Sequence, residues 1–233
     1  MQTLEEIRRA LEPLSAFEHL RIANWLRDLA FSKSNEVREV ALAYVPGEPP
    51  QTMTLEEYFE LEERSEILHE FFNGSVHAMS GPSVAHERVR HRLDMAFSNH
   101  LKGRPCEVFA SKARLLIQVD WRNISYHPDI MIDCQPESWN GPGLRNPTLV
   151  VEVLSPSTEN IDKREKAEIY RLVDSIEEYV LVAQDKYELT IHRRTDGWWP
   201  QVYRGPDPTV EFRSIALTLP MRSIYDDVLL ARG

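Results

Sequence analysis

Two carboxylates stand inside segments that otherwise read as buried strands. In HPDIMID, Asp129 opens the apolar run Ile130, Met131 and Ile132. In TLVVEVL, Glu152 interrupts Leu149, Val150, Val151, Val153 and Leu154. A continuous apolar run bounded by turn residues is the pattern of a strand covered on both faces. An unpaired carboxylate there costs several kcal/mol of desolvation, so each acid must be protonated, paired or bound to a cation. Two such acids on strands that could be neighbours make a donor set for a hard, oxygen-seeking metal.

A lysine follows in an equally unusual place. On a helix over residues 162–173, Asp162, Lys166, Ile169, Tyr170 and Val173 share one face, whereas Arg164 and Arg171 point towards water. Lys166 therefore lies on the apolar side, where it either snorkels outward or meets the two acids. Asp, Glu and Lys converging suits metal-assisted phosphodiester hydrolysis. The acids hold the cation, and the lysine orients and helps deprotonate a water.

Pro128-Asp129 followed by Glu152-Val153-Leu154 resembles the motif of the PD-(D/E)XK nuclease superfamily, with its restriction-endonuclease-like fold. The longer string VVEVLSPST…DKREKAEIYR…EEYVLV is similar to one branch, the Uma-type bacterial restriction endonucleases. The third motif position holds Leu154 rather than lysine; in that branch the lysine is held to have migrated to the next helix, which matches Lys166 by position. The resemblance implies a Mg2+- or Mn2+-dependent DNA endonuclease. Asp129 and Glu152 would ligate the metal, helped by the Val153 carbonyl, and Lys166 would position water. It also aligns HEFFNG with the branch's YELIDG-like motif, making Glu70 a third site carboxylate, and GPSVAH with GPSxxH, giving His86 a role at phosphate or nucleophile. Without the resemblance, Glu70 is a surface acid near a hairpin and His86 a capping or core histidine. Leu154 and the acidic net charge favour an alternative, a non-cleaving DNA- or transposon-associated binding module with a decayed site.

The chain has 233 residues, enough for one main domain plus an extension. Net charge is −10, which argues against a general nucleic-acid coat, although residues 84–118 gather Arg88, Arg90, Arg92, Lys102, Arg104, Lys112 and Arg114 into a basic stretch compatible with DNA and equally with a solvated helix face. The cysteines Cys106 and Cys134 suggest no disulfide or zinc framework, as in a reducing cytosol. No apolar run approaches membrane length and the MQTLEEIRR start has no apolar leader, so the expected location is cytoplasmic. No Gly-rich phosphate loop, CxxC pair or GxSxG elbow is present, leaving a Rossmann enzyme or serine hydrolase unsupported.

The elements around these residues give an α/β fold: a restriction-endonuclease-like mixed β-sheet flanked by helices, with an N-terminal helical extension. Residues 1–45 form the extension, with stripes at Leu4, Ile7, Leu11, Leu14 and at Leu20, Ala23, Trp25, Leu26, Leu29, and the domain occupies residues 52–233 beyond the linker VPGEPP. The stripes need cover, which predicts a homodimer. Thr54 and Glu57 form a capping box, Asn73-Gly74 a hairpin turn, and Ser83 the cap of a helix buried through Val89, Leu93, Ala96, Phe97 and Leu101. Strands are expected over 114–119, 178–183, 187–193, 198–203 and 210–219, the last closing the sheet, with a turn over 120–125, a loop over 137–146 and a terminal helix at Leu229-Leu230. The 149–154 and 178–183 strands should pair in parallel across the Lys166 helix. Gln184, at the end of the second, could reach the site.

Overall fold

Thr54 caps the first helix of the computed structural model, which describes residues 53–110, 112–119, 121–135, 141–155 and 162–225. Its hydroxyl accepts from the Glu57 N–H while the Glu57 carboxylate accepts from the Thr54 N–H, so the capping box closes and starts α1 (Leu55–Arg64). The hairpin of β1 (His69–Phe72) and β2 (Ser75–Ala78) turns at Asn73 and Gly74, both with positive φ, as a two-residue primed turn requires. Ser83 accepts from the His86 N–H and opens α2 (Val84–Leu101).

The chain continues through β3 (Glu107–Ala110), β4 (Leu115–Val119), β5 (Arg122–Tyr126), β6 (Ile130–Asp133) and β7 (Leu149–Leu154). A π-helical turn (Asp162–Lys166) leads into the short α3 (Ala167–Arg171). Then follow β8 (Glu178–Ala183), β9 (Glu188–Arg193), β10 (Pro200–Arg204), β11 (Thr209–Phe212), β12 (Leu217–Pro220) and α4 (Met221–Tyr225).

A six-stranded sheet has the order β10-β9-β8-β7-β6-β3, and a four-stranded sheet the order β2-β1-β5-β4. β7 and β8 are parallel, as the intervening helical crossover demands, while their other neighbours are antiparallel. One face of the large sheet, with Ile130, Ile132, Val151, Val153, Val180 and Val182, packs on Val89, Leu93, Phe97 and Leu101 of α2. The other face, with Met131, Val150, Tyr179 and Leu181, packs on Ala167, Ile169 and Tyr170 and on the small sheet's Leu115, Ile117, Ile124 and Tyr126. Cover on both faces is why β6 and β7 lack polar alternation.

Three expectations are corrected. The turn over residues 120–125 is mostly strand: β5 pairs with both β1 and β4, and the polar Asn123 and Ser125 alternating with Ile124 and Tyr126 disguise it. The 210–219 segment does not close the large sheet. A 3-10 turn at Arg213–Ile215 and a left-handed Ala216 fold it into the separate β11–β12 hairpin. The cysteines are bonded: β3 and β6 pair Glu107 with Asp133, so the next step outward sets Cys106 against Cys134 with Cα atoms 3.9 Å apart. Their separation of 28 residues carried no such signal. The helical extension of residues 1–45 and the helix expected at Leu229-Leu230 lie outside the described residues.

Candidate active site

β6 and β7 bring the two strand acids together. Their register pairs Ile130 with Val151, so one step further Asp129 falls opposite Glu152. Opposed residues of an antiparallel pair share a face, here the face of Met131 and Val150 that α3 covers. Glu152 is 4% exposed. Asp129 Oδ2 accepts from the Val153 N–H at 2.7 Å and lies 3.2 Å from His86 Nε2, delivered by the first turn of α2.

The helical crossover supplies the lysine, and the hairpin a third carboxylate. Lys166 Nζ lies 2.8 Å from Glu70 Oε1, 3.1 Å from Glu152 Oε1 and 3.2 Å from Asp162 Oδ1. Its ammonium also sits 5.3 Å over the Tyr126 ring. Tyr170, one turn further on, donates its hydroxyl to Glu152 Oε1 at 3.1 Å. Tyr179 of β8 donates to the Asp162 carbonyl at 2.9 Å, fixing the start of the π-helical turn. The rings of Tyr126, Tyr170 and Tyr179 stack edge-on in series and wall the cluster with apolar surface.

Burial pushes the Glu152 carboxyl well above the usual range; Asp162, Asp129 and Glu70 add to that rise and Lys166 opposes it. Burial alone would lower Lys166, but Glu152, Glu70, Tyr170 and Asp162 outweigh it and hold the ammonium well above the ordinary lysine range. Neighbouring carboxylates contribute to both upward shifts, beside burial for Glu152 and against it for Lys166. The pocket holds more carboxylate than ammonium, so it favours keeping a proton or gaining a cation. His86 follows the same logic: burial pulls it down, and the hydrogen bond to and charge of Asp129 more than restore it.

The structure thus gathers Glu70, Glu152 and Lys166 into one buried cluster, with Asp129 and His86 joined through a direct contact at its strand end. Gln184 instead accepts a hydrogen bond from the Ser83 hydroxyl at the start of α2. Leu154 packs with the apolar core beneath α3. In the sequence, Asp162 and Tyr170 stand out only as members of a helix face. Their spacing of one turn either side of Lys166 was the available signal. Among the described residues, no group of three or more acidic, histidine or cysteine side chains already surrounds one cation position.

A mixed sheet covered on both faces, with strand carboxylates meeting a lysine from the crossover, is a restriction-endonuclease-like architecture. A crystal structure from Anabaena variabilis ATCC 29413, described as "a putative nuclease belonging to DUF820", has a similar fold, with TM-score 0.61 and 18% identity over 74% of this chain and 97% of that one. The Uma2 family model, described as "Putative restriction endonuclease", matches residues 55–222, and the chain belongs to that family. Two relatives are known from Synechocystis sp. (strain ATCC 27184 / PCC 6803 / Kazusa). The uncharacterized protein slr1290 is 34% identical over 79% of this chain and 97% of its own length, and the uncharacterized protein sll1609 is 27% identical over 69% and 92%. No helix among the described residues is long and apolar enough to cross a membrane.

Proposed function

We propose that the protein is a metal-dependent DNA endonuclease of the PD-(D/E)XK type, hydrolysing phosphodiester bonds. The observation that carries this reading is the buried Lys166 ammonium within 3.2 Å of Glu70, Glu152 and Asp162, with Asp129 on the neighbouring strand end. The donors are all oxygens and outnumber the cation among them, a set that suits magnesium or manganese. Asp129 and Glu152 would hold the metal with the Val153 carbonyl, and water would complete its shell. When bound, the metal supplies charge stabilisation at the phosphate and a more acidic water. Lys166, kept charged by its carboxylate neighbours, would orient the attacking water by donating to it. Glu70 would hold the lysine in place, and His86 would hold Asp129 and face the incoming phosphate.

DNA would approach over α2. A hollow of 410 Å³ there is lined by Pro82, Ser83, Val84, Glu87, Arg88, Arg90 and His91. Phosphate contacts from such a surface hold a duplex without reading its sequence. A homodimer, covered through the N-terminal stripes, would offer one site to each strand of a duplex. Action on DNA inside the cell would put the protein in the cytoplasm.

The test is incubation of supercoiled and linear DNA with Mg2+ or Mn2+, with wild type beside Glu152→Gln and Lys166→Met. Metal-dependent cutting by wild type, reduced by orders of magnitude in both folded variants, is expected. If wild type cuts no DNA form at any metal level, or all three cut alike, the nuclease reading fails. The non-cleaving binding module, which Leu154 at the usual lysine position favours, then stands.

A further inference from the structure

A second buried polar network lies behind the site, and Glu62 is its hub. The side chain of Glu62 is 2% exposed, an unusual depth for an acid near the end of an amphipathic helix. Its Oε1 accepts from the His69 N–H at 3.0 Å and meets His69 Nδ1 at 2.8 Å. Its Oε2 lies 3.4 Å from His127 Nε2 and 3.8 Å from Arg114 Nη2. Tyr58, one turn earlier on α1 and fully buried, reinforces the same links. Its hydroxyl donates to the His69 carbonyl at 2.7 Å and lies 3.1 Å from Ser125 Oγ and 3.4 Å from His127 Nε2.

Both histidines adjoin site residues. His69 precedes Glu70, the closest carboxylate to Lys166, and His127 stands two residues before Asp129. Residues 127–129 are also where the chain leaves β5 in the small sheet and enters β6 in the large one. One carboxylate thus grips the two backbone segments that deliver Glu70 and Asp129. An apolar side chain at that place would fill the same space without setting either segment's position, so burying a charge there needs a purpose beyond packing.

We propose that Glu62, backed by Tyr58, is a positioning residue that sets Glu70 and Asp129 relative to Glu152 and Lys166. The inference rests on the reading of Asp129 as a metal-site residue, and its test has one readout that needs no metal. The Val153 N–H is held by Asp129 Oδ2 at 2.7 Å, so its hydrogen exchange reports where Asp129 sits. Exchange at Val153 is compared with exchange at Val180, in the core of β8, for wild type, Glu62→Ala, Glu62→Gln and Val76→Ala. Val76 packs in the same small cluster as Tyr58 and Phe71 but has no polar side-chain atom, so its truncation loosens that core while every hydrogen-bonding group of the network is kept.

The Val153-to-Val180 exchange ratio should rise roughly tenfold or more in Glu62→Ala, as expected when a hydrogen bond to a charged group opens. Glu62→Gln, which keeps an acceptor for His69, should restore much of the wild-type ratio, and Val76→Ala should leave it unchanged. If Glu62→Ala does not fold, Tyr58→Phe removes only a hydroxyl and should shift the ratio in the same direction. An unchanged ratio in the folded Glu62 or Tyr58 variants, or an equal rise in Val76→Ala, overturns the proposal. Calorimetry with Mn2+ forms the second arm, and affinity should fall about 10–100-fold in Glu62→Ala. If wild type binds no Mn2+, the nuclease reading fails while the exchange ratio still decides the positioning role.

Discussion

Lys166→Met removes the cation that lies 3.1 Å from Glu152 and leaves its carboxylate neighbours facing one another. The lysine side chain is 5% exposed, as is that of Glu152, and that of Asp162 is 2%, so solvent screens little of the loss. Breaking a buried pair by deleting one partner costs about 3–5 kcal/mol. For a domain of this size that is roughly a 6–20 °C fall in melting temperature. The loss has a definite pH dependence. Without the ammonium, the Glu152 carboxyl rises further above its unfolded value. Stability from such a raised group is present below the unfolded pKa and lost as pH rises through the folded one. The variant should therefore lie closest to wild type in mild acid and fall away as the solution is made more alkaline. Above the raised range of Lys166 the gap should narrow again, because wild type then loses its ammonium too. Adding Glu152→Gln to Lys166→Met should recover part of the deficit, a coupling that a double-mutant cycle isolates. Urea unfolding in chelator across pH is the assay. A Lys166→Met deficit below about 1 kcal/mol and flat with pH, the behaviour of an exposed pair, would refute the buried cluster.

Asp129→Asn should lower the His86 pKa, since the Asp129 contact is what raises it above its ordinary value against burial. The stability from that pair is present below the ordinary histidine range and lost as pH rises through the raised value, and an unchanged His86 titration by NMR would contradict it. Glu178→Ala breaks the 2.7 Å buried pair with Arg193 and should cost about 3–5 kcal/mol in urea unfolding, with no change in Mn2+ affinity. Removing residues 1–46 should convert a dimer to a monomer in sedimentation, and an unchanged mass would show that the extension covers no subunit contact.

How much was legible in the chain follows from how local each signal is. The caps at Thr54 and Ser83 and the Asn73-Gly74 turn depend on neighbours a few residues away, and they stand as read. The parallel β7–β8 pairing followed from a crossover that two buried apolar runs and a helix oblige. Lys166 could be placed indoors because Ile169, Tyr170 and Val173 share its helix face. The departures are all non-local. β5 is a strand because two partners flank it, which its polar residues do not announce. Cys106 and Cys134 meet through the β3–β6 register, and no spacing encodes that register. Glu62 reads as one more acid in a run of surface glutamates until β1 and the β5–β6 crossing fold against it.

The claim at the centre of this account is that Asp129 and Glu152 share a divalent cation beside Lys166. Crystals soaked in Mn2+ and measured for anomalous scattering locate that ion directly, and Mg2+ soaks then give the bond lengths. The account predicts one cation touching both carboxylates, with Mg–O distances of about 2.0–2.1 Å. It also predicts that Glu152→Gln crystals lose the ion while keeping the fold. A cation that touches neither acid, or none at all at saturating concentration, would contradict it.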